Sequence, residues 1–139
     1  MATTGREAVL PSDLSVVRKI QDEISTALQE VVFPEEHHFA IKMAVEEALV
    51  NAIKHGNQLD PDKTVTVRYE FNHEWFEIEI SDEGSGFDPE DVPDPTAPEN
   101  LERPCGRGLL LMRYYMNQVV FKNSGRTLVM RKLREKKPA

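Results

Sequence analysis

The chain has 139 residues, 40% of them hydrophobic and 29% charged, with a formal net charge of −7. That balance suits one globular domain and argues against a broad nucleic-acid footprint, which needs clustered Lys and Arg. No apolar run is long enough to span a bilayer, and the start MATTGREAVLPSD lacks a secretory pattern. Cys105 is the only cysteine, so an intrachain disulfide is excluded and a structural zinc site is implausible. Together these features predict a cytoplasmic protein.

A short extended start, Glu7 to Leu10, precedes the helix-start signal Pro11-Ser12-Asp13. Leu14, Val17, Ile20, Ile24 and Leu28 then recur at helical spacing, predicting an amphipathic helix to about Val31. A second helix is predicted from about Glu36 to His55, with Gly56 as its C-terminal residue. Val65, Val67, Tyr69 and Phe71 alternate with polar residues, as do Phe76, Ile78 and Ile80. With Asn72-His73-Glu74 between them, these two runs read as a hairpin with one buried face.

From Asp82 to Arg107 the periodicity stops, and five of the nine prolines fall there. A long irregular stretch within a compact domain reads as a functional lid, here about residues 83–107. A helix from Leu109 to Met116 and a last hairpin turning at Asn123-Ser124-Gly125 complete the chain. The basic run from Arg131 to Lys137 reads as a solvated tail. The order predicts an α+β two-layer sandwich, helices on one face of a mostly antiparallel sheet, as a single domain over 1–139.

Three motifs carry chemistry. On the second helix, Ile41, Val45, Ala48, Leu49 and Ala52 share a core-facing arc. Glu47, Asn51 and Lys54 share a neighbouring arc of about 60°, which alone would be an ordinary polar edge. Ser81-Asp82-Glu83-Gly84-Ser85-Gly86 places a carboxylate where a strand leaves the sheet, followed by two glycines that allow close backbone approach. Gly106-Arg107-Gly108 opens a helix, whose free N–H groups can receive phosphate, with Arg103 and Arg107 as nearby cations. Each motif has a bland explanation singly; their order makes them one site.

Glu47-Ala48-Leu49-Val50-Asn51-Ala52-Ile53-Lys54-His55-Gly56 resembles the N box of the GHKL ATPases, the superfamily of gyrase, the heat-shock chaperone and histidine kinases. Asp82-Glu83-Gly84-Ser85-Gly86 resembles its adenine-recognising box, and Gly106-Arg107-Gly108 its phosphate-binding box. The branch most similar in form is that of the bacterial anti-sigma-factor serine/threonine kinases. The resemblance implies ATP and Mg²⁺ as cofactors, with Asn51 ligating the metal and Glu47 as general base. It implies Asp82 accepting from the adenine amino group and Thr127 as a water-linked adenine contact. Gly84 and Gly86 would shape the base pocket, while Gly106 and Gly108 wrap the phosphates. Arg103 or Arg107 would neutralise charge, and Lys54 would reach a phosphate. His55 reads equally well as a packed helix end. The implied partners are an anti-sigma-factor antagonist and a sigma factor, with a homodimer also suggested by the resemblance, and neither nucleic acid nor membrane. A histidine-kinase ATP-binding domain is the rival enzyme, although the first helix carries no acceptor histidine. A nucleotide-gated binding module without transferase activity is the third reading, and Glu47 argues against it.

Overall fold

The computed structural model describes residues 2–86 and 106–135, and of Gly106 and Arg107 only the helical backbone. In chain order the elements are β1 (Thr4–Pro11), α1 (Val16–Glu30), α2 (Glu35–Val50), β2 (Thr64–Phe71) and β3 (Trp75–Ser81). After these come α3 (Gly106–Tyr115), β4 (Gln118–Lys122) and β5 (Thr127–Leu133). The strands form one sheet in the order β1-β2-β3-β5-β4, every neighbouring pair antiparallel. The helices pack with this sheet, the α+β arrangement expected from the element order.

Alternation decides which sheet face is covered. Val65, Val67, Tyr69 and Phe71 of β2, Phe76, Ile78 and Ile80 of β3, and Leu128 and Met130 of β5 are buried. They meet Ile20, Ile24 and Leu28 of α1, Ile41, Val45, Ala48 and Leu49 of α2, and Leu109 and Met112 of α3 in one cluster. Leu14 is the exception to the predicted apolar stripe: it lies before α1 and is 42% exposed. Asp13 supplies the helix start, its Oδ1 accepting the Ser15 N–H and its carbonyl the Val16 N–H, and the regular helix follows from Val16.

The second helix also departs from expectation. After Val50 it continues as a π-helical segment, Asn51–Gly56, closed by the Asn57 N–H bonding the Ala52 carbonyl at 2.9 Å. A π turn spans an extra residue, so each step rotates the chain less than in an α-helix. That rotation carries Lys54 out of the Glu47–Asn51 strip: Lys54 is exposed, while Glu47 and Asn51 are half-buried. The helical run ends at Gly56 as predicted, though not in the left-handed conformation; Gln58 and Leu59 hold the positive φ values, 54° and 58°.

One end of the sheet is tied down by hydrogen bonds. Arg134 donates its N–H to the Glu74 carbonyl at 2.8 Å and a guanidinium N–H to the Val32 carbonyl at 2.7 Å. The Arg134 carbonyl in turn meets His37 Nε2 at 2.6 Å. The motif residues lie at the opposite end, where α2 finishes, β3 leaves the sheet and α3 begins.

Ile53, fully buried in the π segment, supports that end from below. Ile53→Ala should lower unfolding free energy by about 2–5 kcal/mol, measured by urea titration, through the cavity it leaves.

Candidate functional site

Close backbone approach is what assembles the site. A Cβ built on Gly108 would stand 2.9 Å from Glu47 Oε2 and 3.0 Å from Asn51 Nδ2. The first turn of α3 therefore lies directly on the polar strip of α2, at a separation where a Cβ would displace the ends of the Glu47 and Asn51 side chains. A Cβ on Gly56 would meet the Asp82 carboxyl carbon at 2.6 Å, and one on Gly84 would strike the Gly56 carbonyl. Gly56 is thus required for room beside Asp82. Gly86 does need its freedom: its φ is +81°, and a Cβ there would strike the Ser124 carbonyl of the β4–β5 turn.

Asp82 follows the last residue of β3, held by its N–H to the Arg126 carbonyl at 2.9 Å. Its Oδ1 accepts the Gly84 N–H at 2.8 Å, so the loop folds back onto the carboxylate. Burial pushes the Asp82 carboxyl above its ordinary value, against the Gly84 N–H, Arg126 and Lys63, which favour the charged form. Burial also raises Glu47, with repulsion from Glu46 adding to it. His55 is lowered, first by burial and then by Lys54.

The predicted residues therefore fall into groups. Glu47, Asn51 and Gly108 come together, as do Asp82, Gly84 and Gly56. Gly106 and Arg107 lie in the first turn of α3. Arg103, Cys105 and the predicted lid interior, 87–105, lie outside the described residues. Thr127 is in register with Ser81, and its hydroxyl meets Ser81 Oγ and Asn123 Nδ2, each at 3.0 Å. Alternation sets that pair on the opposite sheet face from Ile80 and Leu128, so the Thr127 hydroxyl and the Asp82 carboxylate belong to different clusters.

Sequence reasoning missed Asn57. It is completely buried and bonds Ser12, Thr64 and the Glu83 backbone, tying the end of the π segment to β2 and to the Asp82 loop. Its position directly after His55-Gly56 was the available signal, since an amide there is well placed to satisfy backbone groups left by a helix end.

The whole arrangement is a helix–sheet sandwich whose polar site lies where two helix ends and a strand end meet. The profile of the histidine kinase-like ATPase domain matches residues 10–132, and the chain belongs to that family. Among curated relatives, an anti-sigma F factor of Halalkalibacterium halodurans is 42% identical over 83 residues, 57% of this chain and 56% of that protein. The serine-protein kinase RsbW of Listeria innocua is 33% identical over 99 residues, 66% of this chain and 63% of the relative. The RsbW of Staphylococcus aureus is 35% identical over 99 residues, 66% and 62% of the two chains. Each match spans less than two thirds of the relative's own length. No helix among the described residues is long and apolar enough to cross a membrane.

The raised Glu47 carboxyl has a stability consequence. A carboxyl whose folded value lies above its unfolded value binds more protons when folded, so stability falls as pH rises between those two values. Glu47→Gln lacks that penalty. Its melting temperature should exceed that of the wild type above the raised value, and the difference should vanish below the ordinary glutamate value. Thermal melts across acid to neutral pH measure both limits.

Proposed function

We propose that this chain is an ATP-dependent protein serine/threonine kinase of a bacterial partner-switching system. It phosphorylates an anti-sigma-factor antagonist and, in another state, holds a sigma factor inactive in the cytoplasm. The observation that carries this reading is the packing of Glu47 and Asn51 against Gly108, which puts a carboxylate beside a helix N-terminus. The relatives named anti-sigma F factor and serine-protein kinase support the partner class and the reaction.

In this reading Asp82 recognises the base. Its Oδ1 is already engaged with the Gly84 N–H, so Oδ2 accepts from the adenine amino group. The N–H groups of the first α3 turn receive phosphate oxygens, with Arg107 on the same turn and Arg103 before it as cationic donors. The base pocket is lined by Gly84 and Gly86; Lys54, exposed off the Glu47–Asn51 strip, and Thr127, bonded to Ser81 and Asn123, are assigned no direct nucleotide contact.

Magnesium fits the donors present. Asn51 Nδ2 is the amide atom nearest the position of a Gly108 Cβ, which leaves the amide oxygen as a hard, neutral ligand. One such oxygen with phosphate oxygens and water suits an ion that keeps much of its hydration. When bound, the ion neutralises phosphate charge. Glu47 takes the proton of the acceptor hydroxyl as that oxygen bonds the γ-phosphorus and the bond to the β–γ bridging oxygen breaks, releasing ADP. A carboxyl raised by burial is a stronger base once ionised, which suits this role.

The test is transfer from γ-labelled ATP to a candidate antagonist. Wild type should place acid-stable label on a serine or threonine. Asn51→Ala should abolish Mg²⁺–ATP binding, whereas Glu47→Ala should retain binding and lose transfer by about 100-fold or more. Acid-labile label would instead identify a histidine kinase. Binding with no transfer to any partner would identify a nucleotide-gated binding module.

A further inference from the structure

A carboxylate can distinguish bases only if the loop that carries it keeps its position to within a fraction of an ångström. The loop after Asp82 has glycine at 84 and 86, so its own residues supply little stiffness. The restraint comes from outside. Asn57 Oδ1 accepts the Glu83 N–H at 2.8 Å, while Nδ2 donates to Ser12 Oγ and the Thr64 carbonyl, each at 3.0 Å. This amide has one possible orientation, because a flip would set Nδ2 against the Glu83 N–H. Glu83 holds the loop a second time: its Oε1 accepts both the backbone N–H and the hydroxyl of Thr64, each at 2.7 Å.

Asp82 is therefore followed by a residue anchored through both its backbone and its side chain. Those anchors run to the end of the π segment and the start of β2. We infer that Asn57 and Glu83 are positioning residues for base selectivity, fixing the Asp82 carboxylate where it meets the amino group of an adenine and repels a 6-oxo base. This rests on Asp82 being the base-reading group. Without the Asn57 bond, the Glu83 N–H turns toward water and the carboxylate moves with it. A hydrogen bond near 2.9 Å does not survive a displacement of an ångström. Asn57 touches no part of the nucleotide itself; it acts through Asp82.

Calorimetric titration of the full chain with Mg²⁺–ATP and Mg²⁺–ITP tests this, since inosine carries a carbonyl where adenine carries the amino group. Wild type should prefer ATP. Asn57→Ala should lower the ATP-to-ITP affinity ratio by about tenfold or more, chiefly by weakening ATP. Ser12→Ala removes one Nδ2 acceptor but keeps the bond to Glu83, so it should lower the melting temperature and leave the ratio alone. If circular dichroism shows Asn57→Ala unfolded, Glu83→Ala reads the same ratio by releasing the other anchor. A folded Asn57→Ala or Glu83→Ala protein with the wild-type ratio overturns the inference, as does an equal fall in Ser12→Ala. A wild-type protein without ATP preference overturns the Asp82 reading as well, and is recognised because the failure appears before any substitution.

Discussion

The site depends on the absence of two side-chain carbons beside one carboxylate. With Gly56 on one side and Gly84 on the other, the Asp82 loop and the π segment close to a separation that any Cβ would prevent. Burial at that contact disfavours the charged form of Asp82, and the Gly84 N–H partly offsets it. Gly108 stands against Glu47 and Asn51 in the same way, where a Cβ would push their side-chain ends aside. In both places backbone, being thinner than any side chain, brings polar groups from separate elements within reach of one ligand. The hydrophobic core then has one further task, to hold three element ends at that spacing.

The π segment makes the two contacts compatible. An α-helix continued through Gly56 would keep Lys54 on the strip with Glu47 and Asn51. The wider turn sends Lys54 to solvent and brings Gly56 and Asn57 to the start of β2 and the Asp82 loop. π turns often occur at functional sites because they redirect a few residues without ending the helix. Here the redirected residues are the glycine that admits Asp82 and the amide that steadies it.

Much of this was legible in the sequence. Alternation in β2 and β3 and the 3.6-residue stripe of α1 from Val17 onward are strong periodic signals, and all three elements carry the core on the predicted faces. The order of glycines at element edges pointed to the family that the profile then matched. What escaped was local geometry that periodicity does not encode. Gly56 does end the helical run, as its position predicts, but a carboxylate 26 positions later makes a second demand on it. Asn57 looked unremarkable because its partners, Ser12, Thr64 and Glu83, are scattered through the chain. Asp13 opens α1 as its sequence position predicts, but through a turn that leaves Leu14 outside the buried stripe.

The Arg134 clamp answers the Asn57 and Glu83 bonds of the site end, so the sheet is fastened at both ends. Its bonds to Glu74, Val32 and His37 use backbone and side chain from three segments, all far from Asp82 and Gly108. A sheet fastened at both ends resists shear between its strands, so the element ends keep their spacing whether or not a ligand stands between them. Binding then spends little of its free energy on ordering the polypeptide, and more of it appears as affinity.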